Sequence, residues 1–175
     1  MPVTESRTAV LPANSEPEAR YLAAFLAWLV PGLGHWYQGR KGKAILYAVC
    51  ILSLFFFGMF LGEGQNVFFR WANPRQDPEN FRFSYLCQFW VGLPSLPGLI
   101  QATLKSYGLE PILWGFQAEP SQKQLFGVHP RLGPLVEIGW VYTVIAGLLN
   151  VLAILDAFDG PAHREQSQKP PQPTA

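Results

Sequence analysis

The stretch PGLGHWYQGRKGK, residues Pro31–Lys43, joins two strongly apolar segments of the chain. It contains four glycines and a proline, residues that end or weaken helices. Its last part carries three cations, Arg40, Lys41 and Lys43, as is typical of a short loop at a membrane surface. The stretch therefore predicts a tight turn between two membrane helices, with the rest of the chain arranged around it.

The composition of the 175-residue chain indicates an integral membrane protein. Hydrophobic residues make up 49% and charged residues only 14%, against about 25% charged residues in soluble proteins. The net charge of +1 gives no electrostatic footprint for nucleic acid, so the lipid bilayer is the expected partner. Cys50 and Cys87 each lie in an apolar segment, which predicts two buried small side chains rather than a disulfide.

Four apolar segments predict an all-α fold, an integral membrane helical bundle of about four transmembrane segments. The membrane domain is expected over 18–161, between disordered tails at 1–17 and 162–175. The second segment is the clearest, because Ala44–Leu61 contains no charge and covers about 27 Å, close to a bilayer core. The segments are approximately 19–37, 43–62, 84–104 and 135–158.

Prolines and glycines interrupt the first and third segments. Pro31 removes an amide donor from the first, so we expect a helix to about Val30 and an irregular stretch after it. Pro94 and Pro97 must kink or break the third. Broken helices line binding sites in some transporters, but we favour one kinked helix whose freed carbonyls bond to neighbouring helices.

The two long loops, 62–83 and 105–134, contain aromatic residues and an apolar patch at Pro111–Phe116. Aromatic side chains concentrate at membrane interfaces, so we expect these loops to lie along the headgroup region. Binding of a substrate by the aromatics of the first loop is the alternative. Those aromatics are Phe68, Phe69, Trp71, Phe81 and Phe83.

The fourth segment carries small and mildly polar residues on one face. At about 100° per residue they form a single stripe, and small residues allow membrane helices to approach one another closely. We therefore expect this helix at the centre of the bundle, with its Leu, Ile and Val side chains outward. The stripe is also the candidate surface for contact with other membrane proteins or with a second copy of the chain. Its members are Gly139, Thr143, Ala146, Gly147, Asn150, Ala153 and Ala157.

Four crossings would place both tails on one side of the membrane and the turn at Pro31–Lys43 on the other. Lys and Arg are enriched in short cytoplasmic loops, and this turn holds three of them. We therefore expect the turn in the cytoplasm and both tails outside.

The turn departs from both glycine-rich phosphate-binding motifs. Gly34 and Gly39 have the P-loop spacing, but Arg40 replaces its lysine and Lys41 replaces the Ser or Thr that holds magnesium. The dinucleotide fingerprint fails because Tyr37 stands where its last glycine belongs. The sequence contains no metal-ligand spacing and no nucleophile–base signature. We therefore expect no cofactor, no metal and no enzymatic activity.

Ionisable and amide side chains within apolar segments are candidates for pairing or for function. Glu137 is expected near the turn, where it could pair with the turn's cations. Asp156, at a helix C-terminus, needs a cationic partner, for which Arg20 is on the expected side. We favour structural pairing and keep proton or ion transfer as the alternative; for His35 the alternative to a structural role is pH sensing. The candidate residues are His35, Tyr37, Arg40, Lys41, Glu137, Asn150 and Asp156.

Several motifs resemble known families. The run FLAWLVPGLGHWYQGRKGKAIL, Phe25–Leu46, resembles the opening of the two-transmembrane-segment domain, whose last helix carries an aspartate that Asp156 would match. A closer resemblance covers Arg20–Pro161 and is to an uncharacterised family of bacterial multi-pass membrane proteins. It rests on the PGLGHxYQGR turn, on VGLPxLP at Val91–Pro97 and on the last helix, Ile138–Pro161. This resemblance implies a multi-pass protein of the bacterial inner membrane, and it carries no information about activity.

These observations favour a membrane protein that acts as a structural, assembly or regulatory component through helix–helix contacts. The alternative is a small transporter or channel subunit that uses the break at Pro94 and Pro97 together with Glu137, Asn150 or Asp156. A membrane enzyme ranks third, because the sequence shows no catalytic set.

Overall fold

The computed structural model describes residues 17–72, 83–121 and 133–160. Within these ranges all regular structure is helical, which confirms the all-α prediction for this part of the chain. The predicted tails, 1–17 and 162–175, lie outside the described residues, except for Pro17 at the start of the first helix. The helices are α1 (Pro17–Leu29), α2 (Leu33–Tyr37), α3 (Lys41–Leu61), α4 (Phe83–Phe89), α5 (Leu96–Ser106) and α6 (Leu135–Asp159), with 3₁₀ turns at Leu93–Ser95 and Leu113–Gly115.

Two helices, α3 and α6, are long and apolar enough to cross a bilayer. At about 1.5 Å per residue they extend about 32 and 38 Å, against about 30 Å of hydrocarbon. They are antiparallel, because Gly58 near the end of α3 meets Gly139 near the start of α6, whereas Lys43 reaches Asp156 at the opposite end. We call the end with Lys43 and Asp156 the turn end, and the other end the loop end.

The first predicted segment, 19–37, forms a hairpin instead of a crossing helix. Arg20 in α1 donates to the carbonyl oxygen of Phe158 at the turn end, while Ala27 lies beside Asn150. Phe158 and Asn150 are eight residues apart on α6, or about 12 Å, so α1 stops well short of the loop end.

Glycines allow the chain to return after α1. Gly32 has a φ of +86°, which favours glycine, and it follows Pro31, as the sequence predicted for a helix break. α2 then packs against α1 so closely that a Cβ atom on Gly34 would lie 2.1 Å from the carbonyl oxygen of Ala23. The return places the residues that follow α2 at the turn end again.

The third predicted segment is also a hairpin, so the expected single kinked helix is wrong. α4 ends at Phe89, and the chain reverses at Gly92, whose φ is +85°. Pro94 and Pro97 lie in the first positions of the 3₁₀ turn and of α5, where a missing N–H removes no helical hydrogen bond. The two prolines therefore start a new helix instead of bending an existing one.

The second hairpin enters from the loop end and meets the first at mid-depth. Cys87 lies against Gly147 of α6, and Trp90, three residues later, lies against Asn150, so α4 runs away from the loop end. Its tip then contacts the tip of the first hairpin, because a Cβ atom on Gly92 would lie 1.8 Å from the carbonyl oxygen of Trp28. The described residues thus form two helices of crossing length with two hairpins between them.

The prediction that both ends of the membrane domain lie opposite the turn is wrong, while the tails themselves lie outside the described residues. α1 begins and α6 finishes at the turn end, where Arg40 also lies. The physical reason is the reversal after Pro31, which turns a predicted crossing into a hairpin.

The small-residue stripe of α6 is buried, and the predicted central position of this helix is confirmed. Helices approach it at glycines; a Cβ atom on Gly147 would lie 1.9 Å from the carbonyl oxygen of Cys87. Neighbouring helices of the same chain cover the stripe, including Gly139, Thr143, Gly147 and Asn150. Its predicted use as a surface for other membrane proteins or a second copy stays a prediction. The outward side chains are apolar as expected, among them Leu148, Leu152 and Leu155.

Two smaller expectations are also corrected. Phe68 and Phe69 are buried in the core instead of lying at the interface, with the Phe69 ring 5.1 Å from the Tyr85 ring. Both cysteines are free, but Cys50 is exposed on α3, so it is no buried core residue.

Candidate functional site

Four side chains at the turn end converge on one carboxylate, and we call them the Asp156 cluster: Asp156, His35, Arg40 and Lys43. Arg40 Nη2 lies 2.9 Å from Oδ2 and 3.2 Å from Oδ1 of Asp156. His35 Nε2 lies 2.8 Å from Oδ2, and Lys43 Nζ lies 3.2 and 3.3 Å from the two oxygens. The carboxylate therefore ties α2, the turn and α3 to α6.

Helix dipoles explain why these charges need one another. Asp156 is an anion at the C-terminal end of α6, and Lys43 is a cation in the first turn of α3; both placements are unfavourable for an isolated helix. The antiparallel arrangement of α3 and α6 brings the two ends together. Each charge then stabilises the other, and Arg40 strengthens the pairing because its Nη2 donates to the carboxylate while its Nη1 donates to the Asp156 carbonyl oxygen.

The geometry of His35 indicates one tautomer. Its side chain is fully buried, and its ring packs 4.7 Å from the ring of Tyr47. Nε2 carries the proton that it donates to Asp156, whereas Nδ1 has no hydrogen-bond partner in the ranges that the structure describes. A buried imidazolium would leave a second N–H unsatisfied, which is costly, so neutral His35 fits this site best.

The last carbonyl groups of α6 are also bonded at the turn end. Arg40 Nη1 donates to the Asp156 carbonyl oxygen at 3.2 Å, Gln38 Nε2 donates to Ala157, and Arg20 Nε donates to Phe158 at 2.9 Å. Helix ends leave such carbonyls without intrahelical partners, so these three side chains complete the end of α6. The prediction that Arg20 pairs with the Asp156 carboxylate is wrong: Arg40 holds the carboxylate, and Arg20 holds the helix end.

Asn150 forms a second polar centre at mid-depth, which we call the Asn150 junction. Its Nδ2 donates to the carbonyl oxygens of Ala27 at 3.1 Å and of Trp90 at 2.7 Å. These two carbonyls lie near the tips of the two hairpins. One buried amide of α6 therefore joins both hairpins where they meet, which fits the predicted structural role.

A buried amide network extends from the junction toward the loop end. Gln88 Nε2 donates to Thr143 Oγ1 at 2.7 Å and to the carbonyl oxygen of Asn66 at 3.2 Å. Asn66 Nδ2 in turn donates to the carbonyl oxygen of Gly58 at 2.8 Å. The network fixes the loop after α3 against α4 and α6.

The remaining candidate residues lie apart from the Asp156 cluster. Lys41 Nζ lies 5.7 Å from the centre of the Trp36 ring, and Tyr37 is exposed nearby. Glu137 is exposed in the first turn of α6 at the loop end, so it cannot pair with the cations of the turn as predicted. Its displacement follows from α6 running toward the turn end instead of away from it.

A family model described as "Family of unknown function (DUF6677)" matches residues 22–170. The matched range begins within α1 and includes the turn, the second hairpin and all of α6. The chain belongs to the DUF6677 family. No curated protein and no solved structure matches it. Family membership therefore adds no activity, and the chemistry must be argued from the site.

In this DUF6677 chain the Asp156 cluster is suited to holding helices together in one arrangement. Its carboxylate is surrounded by donors, and among the described residues no group of three or more His, Cys, Asp or Glu side chains is placed to hold a metal ion. An ion pair so arranged fixes one geometry of the elements it joins.

Sequence reasoning missed Gln88 and Asn66, whose amides organise the loop end of this DUF6677 chain. Gln88 carried a usable signal, since it is one of two amide side chains, with Gln101, in a charge-free apolar segment. Asn66 carried none, because a polar residue in a mixed loop is ordinary.

Proposed function

We propose that this chain is a multi-pass protein of the bacterial inner membrane, with α3 and α6 crossing the bilayer and the two hairpins entering from opposite ends. The proposal is supported by the length and apolar surface of the two helices. Irregular backbone at membrane depth requires shielding by protein, and the hairpin tips are shielded by α6 and by each other.

The charges favour a cytoplasmic turn end. Among the described residues, four Lys or Arg lie there and two lie at the loop end; the former are Arg20, Arg40, Lys41 and Lys43, the latter Arg70 and Lys105. Since Lys and Arg mark cytoplasmic segments, both ends of the membrane domain are cytoplasmic together with the turn. A reporter enzyme that works only in the periplasm can be fused after Gly160. Activity of this fusion would contradict the orientation.

The role that the geometry supports best is a structural, assembly or regulatory component without catalytic activity. The carrying observation is that the Asp156 carboxylate and the Asn150 amide nitrogen bond within the chain, at the Asp156 cluster and the Asn150 junction. Such a body presents its outward faces to partners, and Phe60 on α3 is 78% exposed.

The experiment compares the proteins recovered together with the chain from native membranes for two variants. Phe60→Ala changes the outward face of α3, and Glu18→Gln changes an exposed residue at the start of α1 as the control. We expect Phe60→Ala, and not Glu18→Gln, to change the set of proteins recovered with the chain. An unchanged set for both variants contradicts the assembly role on this face.

A small transporter or channel subunit is the second candidate, and the meeting of two broken hairpins favours it. Discontinuous helices that meet at mid-depth are used for solute binding in transporters, and Oδ1 of the buried Asn150 has no hydrogen-bond partner within the described part of the chain. Cysteine labelling along 91–98 and 137–156 separates the two candidates. A water-filled pathway labels at mid-depth, whereas the packed junction labels only near the ends.

A further inference from the structure

A groove at the loop end combines a polar end with an apolar wall. Its volume is about 850 Å³, and it lies between the first turns of α6 and the residues that follow α3. Gln65, Asn66 and Glu137 provide its polar part, and Ile138, Val141 and Ile145 provide much of its apolar part. None of these residues belongs to the Asp156 cluster or to the Asn150 junction.

The polar end contains acceptors that lack donors. Oε1 of Gln65 and Oδ1 of Asn66 are buried and have no hydrogen-bond partner among the described residues. The orientation of the Asn66 amide is fixed, because Nδ2 donates to Gly58, so its oxygen is the free atom; the residue is only 2% exposed. Glu137 adds a carboxylate that makes no ion pair with the described residues. Three acceptors and one negative charge call for a cationic group with several N–H donors.

The apolar wall extends from this polar end toward mid-depth. Glu137 and Ile145 are eight residues apart on α6, a rise of about 12 Å. Ile138, Val141 and Ile145 are each 40–43% exposed. An amphiphile whose hydrocarbon chain lies along these residues would have its head group at the loop end and its tail toward the middle of the bundle. Lipids have this orientation in one leaflet of a bilayer.

We propose that this groove binds an amphiphile with a primary-amine head group, such as an aminophospholipid. Its ammonium group has three N–H donors, which complement the exposed Glu137 carboxylate and the Gln65 and Asn66 oxygens; because those two oxygens are buried, their side chains must move to admit it. A quaternary ammonium group of the same charge has no N–H and cannot make these bonds. The groove therefore distinguishes ethanolamine from choline head groups by hydrogen bonding and not by charge.

The test uses the full chain in detergent with two monoacyl phospholipids of the same acyl chain, one with phosphoethanolamine and one with phosphocholine. Binding of each is measured by native mass spectrometry over a concentration series. We expect about tenfold tighter binding of the phosphoethanolamine lipid, since charge-assisted hydrogen bonds are lost with the other. Equal binding of the two lipids, or binding of neither, overturns the proposal, the latter because the groove is then closed to an added amphiphile.

Two variants locate the binding site. Glu137→Gln removes the charge from the groove, and Glu110→Gln removes an exposed carboxylate outside it. We expect the preference to fall several-fold in Glu137→Gln and to persist in Glu110→Gln. Ile145→Trp fills the groove at its apolar wall and should weaken binding of the amine lipid. Its unfolding temperature should stay close to that of the Glu110→Gln variant. A preference that survives both groove variants contradicts this site.

Discussion

Replacement of Asp156 by Asn tests whether the carboxylate holds the fold together. Asn keeps the size of the side chain and one acceptor oxygen, but it removes the charge that Arg40 and Lys43 face. Charge-assisted hydrogen bonds contribute about 1.5–3 kcal/mol each, and removing one partner of a fully buried ion pair costs about 3–5 kcal/mol.

The exposure of the cluster lowers this figure. The Asp156 side chain is 29% exposed and that of Lys43 is 51% exposed, so the Lys43 pair contributes under about 1 kcal/mol. Arg40, only 15% exposed, and the fully buried His35 account for most of the effect. We expect Asp156→Asn to lower the free energy of unfolding by about 2–3 kcal/mol, which is about 4–12 °C in Tm for a chain of this size.

The assay is thermal unfolding of the purified full chain, followed by tryptophan fluorescence. Asp159→Asn is the matched control, because Asp159 is exposed three residues later and makes no ion pair with the described residues. The double variant Asp156→Asn/Arg40→Gln should be less destabilised than the sum of the single variants. If Asp156→Asn unfolds at the wild-type temperature, the carboxylate does not stabilise the fold, and proton or ion transfer becomes the better explanation of its role.

Three further predictions concern packing, the hairpin tips and the loop end. Gly147→Ala should destabilise the fold by at least about 2 kcal/mol, since its Cβ would lie 1.9 Å from a backbone oxygen, whereas Gly42→Ala, with nothing within 4 Å, should be neutral or stabilising in the same unfolding assay. Asn150→Leu leaves two buried hairpin carbonyls without a donor and should cost about 2–4 kcal/mol; wild-type stability would contradict the junction. For Glu119, burial raises the pKa, but hydrogen bonds and charges from Lys105 and Arg70 outweigh it and hold the pKa below the usual 4.5. Since the folded pKa is lowered, wild type should exceed Glu119→Gln in stability by about 1 kcal/mol at pH 7, and the difference should disappear as the pH falls below 4.5 and through the folded pKa; a difference that does not vary with pH refutes this.

The sequence predicted the features that depend on local chemistry. The charge-free run Ala44–Leu61 lies within α3, and the small residues of the fourth segment form a buried stripe. Both follow from hydrophobic pattern and side-chain size, which act within one helix. The break at Pro31 and Gly32 was predicted for the same reason, since a missing amide and a positive φ are local properties.

The direction of the chain after each break could not be predicted in this way. A proline shows where a helix ends but not whether the next helix continues or returns. The return of α2 depends on the contact of Gly34 with Ala23, and the reversal at Gly92 depends on its contact with Trp28. These contacts join distant parts of the chain, so no local pattern reveals them.

The sequence predicted which residues belong to the candidate site, but it did not predict which of them pair with one another. The requirement of Asp156 for a cation followed from its position at a helix end, and the cations of the turn were recognised. The pairing of Asp156 with Arg20, and of Glu137 with the turn, followed from the assumption of four crossings. With two hairpins, the turn and the end of α6 meet, and Arg40 takes the place expected for Arg20.

The central claim is that the start of α1 and the turn lie at the same end of the bundle. The direct measurement is the sidedness of single cysteines at Glu18 and Lys41, both exposed, labelled in sealed vesicles with a membrane-impermeant thiol reagent after Cys50 and Cys87 are replaced by Ser. Two hairpins and two crossing helices predict that both cysteines label from the same side. Labelling from opposite sides would mean that the first segment crosses the membrane, which contradicts the fold described above.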